Sequence, residues 1–408
     1  MLEKFFNPAS VAILGASNEE GKVGHAVMKN MVESGYGGRL HPVNPRADSV
    51  QGLKACGSLQ EIEGGVDLAV FVIPPAAILK TIEELRGKGT DAAIVISAGF
   101  KETGTDGAAL ERELVRKAKE IGVRILGPNC LGLIDTHSRV NASFAAAVPP
   151  RGNVSIFSQS GAILTAMLDW AATNDVGVSK IISLGNEADL TEVEFLEFLG
   201  SDPTTEVILG YIEGLRDGRA FMEAAKKVSH SKPIIMIKGG GTAAGSRAAS
   251  SHTGSLAGFD AAYDAAFRQC HVIRARTVME LFNMALGFAY QPLPEGPNLA
   301  IITNAGGPGI MASDACERLN LPMASFEKAT VEELAKHLPP VANLYNPVDV
   351  IGDARADRYE RALDAVLADP GVDGVLVLLT PQEMTEVERT AEVIGRFDIA
   401  LLPPHPRT

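Results

Sequence analysis

One histidine stands apart by its surroundings. His252 lies in GGGTAAGSRAASSHTGSLAG (239–258), where seventeen of twenty residues are Gly, Ala, Ser or Thr and the exceptions are Arg247, His252 and Leu256. Such a stretch lacks the apolar side chains of a packed core and is expected to be a mobile loop. An imidazole on such a loop suits a group that must visit two places. A plain surface loop or a Gly-rich phosphate turn would have the same composition. The other seven histidines (His25, His41, His137, His230, His271, His337 and His405) have no comparable context.

Two further segments offer anion chemistry. Ser158-Gln159-Ser160-Gly161-Ala162 closes one apolar run and opens the helical pattern AILTAMLDWAATN. Its hydroxyls and first-turn N–H groups can hold phosphate, with the helix dipole adding about 0.3–1 kcal/mol; a capping serine without a ligand reads the same. Gly15-Ala16-Ser17 followed by Gly21-Lys22-Val23-Gly24 stands between the first apolar run and a helix. Glycines permit a tight turn, and a helix N-terminus attracts phosphate; a generic strand-to-helix turn is the plain alternative. A nicotinamide turn needs a second Gly where Ser17 stands, and the next strand ends Val43-Asn44-Pro45-Arg46 without the expected acid. Arg46 suits a 2′-phosphate, a 3′-phosphate or a pyrophosphate. The turn therefore favours a phosphorylated adenine nucleotide other than NAD.

GAS (15–17), HPVNP (41–45), VIPP (72–75), SAGF (97–100) and GPNCLG (127–132) together resemble the CoA-binding domain of nucleotide-diphosphate-forming acyl-CoA synthetases. That group includes the α subunits of succinyl-CoA synthetase and of ADP-forming acetate–CoA ligase. The resemblance implies a CoA groove lined by Gly15, Ala16, Ser17, Gly21, Lys22, Val23, Gly24, Asn44, Pro45, Arg46, Ile73, Pro74, Pro75, Ser97, Ala98, Gly99, Phe100 and Asn129. HTGSLAG (252–258) resembles the family's phosphohistidine loop. By the same resemblance Glu213 matches the glutamate that orients the imidazole, fixing its tautomer. Ser158 to Ala162 would bind the phosphate. Asn186 and Glu187 become candidate neighbours of the active site, and Cys130 a structural thiol near it.

The implied reaction is acyl-CoA + phosphate + ADP ⇌ carboxylic acid + CoA + ATP, through an acyl phosphate and a phosphohistidine. The family needs an ATP-grasp domain, and the residues after 298 are too few to form one. A separate β chain carrying ADP/ATP and Mg2+ is expected, in an α2β2 assembly, with a small carboxylic acid as substrate. No metal site is expected on this chain. A catalytically reduced CoA-binding regulatory or scaffold protein is the alternative, and an NADP-dependent oxidoreductase a third reading.

These residues need strand ends to position them. VAILGAS, LAVFVIPP, AAIVISAG, VSIFSQSG, VSKIISLG, VILGYIEG, PIIMIKGG, LAIITNAGG and GVLVLLTP are continuous apolar runs, the pattern of parallel strands buried on both faces. Helical patterns alternate with them, which indicates an α/β fold. VPPRGN (148–153) and QPLPEGPN (291–298) interrupt the alternation. The breaks give three α/β domains with a connecting segment (131–150); the resemblance makes the first a Rossmann-like CoA-binding domain (1–130) and the next a flavodoxin-like, succinyl-CoA synthetase-like domain (151–290). A second flavodoxin-like domain (298–408) follows. It ends PPHPRT where another strand and helix are expected, so it reads as incomplete. Its Asn304–Gly309 turn binds phosphate or serves packing.

Composition limits the partners. The 37 basic and 50 acidic residues of the 408-residue chain give a net charge of −13, which opposes binding to nucleic acid or anionic membranes. Four scattered cysteines without a CxxC pair exclude a disulfide framework. The apolar stretch Leu68–Leu79 contains Pro74 and Pro75 and is too short to span a bilayer. The start MLEKFFNPASVAILGAS lacks the features of a signal peptide, so a cytoplasmic location is expected.

Overall fold

The computed structural model describes residues 2–241 and 260–397. The chain divides into two compact units, Met1–Ala289 and Tyr290–Thr408.

The first unit contains two main sheets. The first sheet runs in the order Arg39–Val43, Ser10–Leu14, Leu68–Phe71, Ala92–Val95, Arg124–Leu126, all parallel. Strand order reverses between Ser10–Leu14 and Leu68–Phe71, so the loops after these two strands part and leave a crevice. Ser10–Leu14, Leu68–Phe71 and Ala92–Val95 are buried at every position, because helices cover both faces.

The second sheet has seven strands in the order Ile273–Ala275, Ile234–Lys238, Val207–Ile212, Arg151–Ser158, Val178–Ser183, Gly132–Asp135, Val140–Ser143. The first five are parallel, with a switch point between Arg151–Ser158 and Val207–Ile212, where Ser158 pairs with Tyr211. The last two form a hairpin that joins Val178–Ser183 antiparallel. Residues 131–150, expected as a connection, thus also supply two strands. Val178–Ser183 is buried throughout, Lys180 included. Its ammonium lies 2.8 Å from Asp202 and 3.5 Å from Asp135, so the buried charge is neutralised on the spot.

Both sheets share one apolar core. Phe6 stacks on Phe198 with ring centroids 4.4 Å apart, and Phe5 meets Phe195 edge-on at 6.4 Å. Burying such rings contributes about 1.5–3 kcal/mol each. The turn Leu184–Leu190 fastens the sheets together along a second line. The N–H groups of Asn186, Ala188 and Leu190 donate to the carbonyls of Pro128, Gly127 and Ile125 at 2.8, 2.9 and 3.2 Å. Arg124 pairs with Asp189 at 2.8 Å beside them.

The second unit has three parallel strands in the order Val348–Asp349, Leu299–Thr303, Gly374–Leu378, with its own core around Tyr359 and Leu363. Asn304 is buried here, and its side chain exchanges hydrogen bonds with the backbone of Thr380 at 2.8 and 2.9 Å. That side chain ties two strand ends together. The final PPHPRT lies outside the described residues. Among the described residues no helix is long and apolar enough to cross a membrane.

Candidate functional site

The two switch points of the first unit open into one cavity of about 1290 Å3. Sterics dictate the first. Gly15 has φ +93°, and a Cβ there would lie 2.5 Å from the Val72 carbonyl oxygen. A Cβ on Gly24 would lie 2.0 Å from the Gly15 carbonyl oxygen, so only glycine lets the helix Val23–Glu33 approach its own loop. No side chain caps that helix and its first turn has no acid. Its leading N–H groups are left for an anion.

The second switch point is built alike. Ser158 is fully buried, and its hydroxyl bridges the backbone of Ser160, donating to the carbonyl at 2.8 Å and accepting from the N–H at 3.0 Å. Ser160 caps helix Gly161–Thr173, accepting from the Ile163 N–H at 3.3 Å. That first turn also lacks an acid. The Gln159 side chain is fixed at both ends. Its carbonyl accepts from the N–H groups of Glu213 and Gly214 at 2.6 and 3.1 Å. Its amide donates to the Gly214 carbonyl at 2.7 Å and to the Glu187 carboxyl at 3.0 and 3.1 Å. The Tyr211 hydroxyl donates to Glu213. Burial, then the charge of Glu213 and that hydrogen bond, raise Tyr211 above its ordinary value.

Of the residues expected from sequence, the cavity gathers Gly15, Gly21, Lys22, Val23, Gly24, Ile73, Pro74, Pro75, Ser97, Ala98, Asn129, Cys130, Gln159, Ser160, Gly161, Ala162, Asn186, Glu187 and Glu213. Ala16, Ser17, Asn44, Pro45, Arg46, Ser158, Gly99 and Phe100 do not line it. Asn44 holds the neighbouring turn, its amide donating to the Ala16 carbonyl at 2.7 Å and its carbonyl accepting from the Arg46 N–H at 2.8 Å. Pro45 and Arg46 are exposed on that turn. Phe100 is fully buried in the core. His252 lies outside the described residues. Cys130 is nearly buried, and burial pushes its thiol up to about 12, so it stays neutral and unreactive.

Lys101, Glu102, Arg216 and Tyr263 also line the cavity. Sequence gave no sign of them beyond their place just after strand-end loops, because only the fold brings them to one wall. Lys101 reaches across from the first sheet and donates to the Asn186 carbonyl. Burial lowers its ammonium below the ordinary value, partly offset by Glu111. The Asn186 amide in turn donates to Glu102 at 2.6 Å and Glu111 at 2.8 Å. Lys22, Lys101 and Arg216 give the cavity three cations. Among the described residues no group of three or more His, Cys, Asp or Glu converges as a metal cluster.

Family models match in three consecutive blocks: a CoA binding domain over residues 9–136, a succinyl-CoA ligase like flavodoxin domain over 151–288, and a Ligase-CoA domain over 299–398. The chain is 47% identical to acetate–CoA ligase [ADP-forming] I of Archaeoglobus fulgidus over 97% of its own length, but spans only 57% of that relative. It is 45% identical to the α subunit of acetate–CoA ligase [ADP-forming] II of Pyrococcus furiosus, covering 97% of this chain and 86% of that one. A solved structure of dinucleotide forming acetyl-coenzyme A synthetase 1 from Ca. Korarchaeum cryptofilum, in complex with phosphate and ADP, matches with a TM-score of 0.94 at 37% identity, over 98% of this chain and 87% of that chain. With that identity sustained along almost all of the Pyrococcus subunit, the chain belongs to the family of ADP-forming acetate–CoA ligases.

Proposed function

We propose that the chain is the α-type subunit of an ADP-forming acyl-CoA synthetase. It interconverts acyl-CoA, phosphate and ADP with a carboxylic acid, CoA and ATP. CoA lies along the Gly15–Gly24 turn, Ile73–Pro75 and Ser97–Ala98, with Arg46 at the outer rim for its 3′-phosphate. Phosphate sits at the helix start Ser160–Ala162, where N–H groups and the Ser160 hydroxyl face its charge. It attacks the thioester, and the acyl phosphate passes its phosphoryl group to His252. Glu213 orients the imidazole, and the 239–258 segment carries it to a nucleotide site. Dividing the transfer in this way replaces one hard step with easier ones.

The nucleotide and its Mg2+ belong to an ATP-grasp β chain, in an α2β2 assembly working in the cytoplasm. The domain division at 130, 150 and 290 follows the same reading. The single observation that supports it is the continuity of one cavity from the Gly15 turn to Ser160 and Glu213, which lets a thioester meet phosphate without leaving the protein. The experiment is labelling by γ-labelled ATP and Mg2+ in the presence of the β chain. Wild type is expected to gain acid-labile, base-stable phosphate, and His252→Ala none. Label retained in His252→Ala would remove the relay.

A further inference from the structure

Three carboxyls line the cavity, each in a different setting. Glu102 accepts from the N–H groups of Gly99 and Phe100 and from the Asn186 amide. Burial alone would raise it, but these donors prevail and hold it below the ordinary carboxylate range. Glu213 takes the Tyr211 hydroxyl. Glu187 is 6% exposed, and its donor is the neutral amide of Gln159. Among the described residues it forms no ion pair.

Behind Glu187 stands Glu192, 0% exposed, and the two carboxyls face each other. Neither oxygen of Glu192 receives a hydrogen bond from another described donor group. Two buried carboxyls in contact cannot both ionise, so one proton stays with the pair. Glu192 opens helix Glu192–Ser201, where the helix dipole favours a carboxylate. Burial raises both carboxyls, so the pair shares that proton, and Glu187 is the member that presents it to the cavity. Burial, then the charge of Glu192 and its hydrogen bond, place Glu187 well above the ordinary range. The other groups facing the pair are Arg216, Lys101, Glu194 and Tyr263; Arg216 opposes the rise without cancelling it.

The backbone holds Glu187 in place. Its φ of +54° is uncommon for a residue with a side chain, and hydrogen bonds of Asn186 and Ala188 to the first sheet enforce it. It sits between Asn186, whose side-chain oxygen accepts from the Asn129 amide at 3.3 Å, and Gln159 of the phosphate turn. That is the stretch of wall between the CoA loops and the helix start.

We propose that Glu187 is the proton donor and acceptor for the CoA sulfur, with Glu192 as its positioning residue; this rests on the synthetase reading above. In thioester cleavage a phosphate oxygen bonds to the acyl carbon, and the C–S bond breaks with its electron pair on sulfur. The thiolate takes the proton from Glu187. The products are acyl phosphate, CoA thiol and a Glu187 carboxylate. In synthesis that carboxylate takes the thiol proton as sulfur attacks the acyl phosphate. A thiol with a pKa of about 8.5 is mostly protonated near neutrality, so the departing sulfur takes up a proton, and a carboxyl that retains its own is a matched donor. Of the three cavity acids, Glu187 alone combines burial with a like charge behind it.

The test is arsenolysis of acyl-CoA thioesters by the full chain, beginning with acetyl-CoA. Arsenate replaces phosphate, and the acyl arsenate hydrolyses without nucleotide. Glu187→Gln is expected to lower kcat by about 100-fold or more, with KM for the thioester little changed. The wild-type rate falls as pH rises and strips the donor proton. Glu192→Gln removes the neighbouring like charge, so this alkaline limb moves to lower pH. Wild-type kcat and an intact limb in Glu187→Gln overturn the proposal. If that variant does not fold, an unmoved limb in Glu192→Gln overturns it. A wild-type chain that cleaves none of the thioesters overturns the synthetase reading instead.

Discussion

Gly24 illustrates what a single residue decides. Its missing Cβ is the space that the Gly15 carbonyl fills, so a methyl group must displace backbone, not a pliable side chain. Gly24→Ala is expected to weaken CoA binding at least tenfold, about 1.4 kcal/mol, in calorimetric titration. Unchanged affinity would remove this turn from the groove. Gly15, Gly24 and the Ser160 cap were legible in the sequence because local geometry alone demands those residue types. Lys101, Glu102, Glu192 and Arg216 were not. A charged residue shows its purpose only when the fold sets it against a cavity or another charge. Phe100 shows the converse: a residue inside a motif at a strand end can still bury its side chain in the core.

Elements were legible where burial is complete. Continuous Val, Ile and Leu runs can be satisfied only between two helical layers, and the strands Ser10–Leu14, Leu68–Phe71 and Ala92–Val95 lie there. The hairpin Gly132–Asp135 with Val140–Ser143 was not legible, since its strands are short and polar residues interrupt them. It adds to the second sheet partly through charge. Lys180, 3% exposed, bridges Asp135 of the hairpin and Asp202 beyond the neighbouring helix. Lys180→Ala leaves two buried carboxylates without their cation and is expected to cost about 3–5 kcal/mol in urea denaturation. A loss under 1 kcal/mol (roughly that of an exposed pair) would contradict this role. Burial would raise Asp202, but the hydrogen bond from Lys180 and those of Thr205 and Thr204 hold it below the ordinary range. Its stabilising contribution is therefore present at neutral pH and is lost as acid titrates it.

The whole molecule carries a net charge of −13, yet one cavity collects Lys22, Lys101 and Arg216. An acidic exterior repels polyanions in general, while a local cluster of cations draws a chosen one to a chosen place. Under the proposed function, the two switch-point crevices of the first unit hold a phosphorylated adenine nucleotide and phosphate. A half-reaction reads their cooperation most directly. The full chain is incubated with acetyl-CoA and labelled inorganic phosphate, with neither nucleotide nor companion subunit present, and the site of label is mapped by peptide mass spectrometry. Phosphate on His252 that requires both reactants is the predicted result. A chain that stays unlabelled, or that carries label elsewhere when His252 is replaced by Ala, would contradict it.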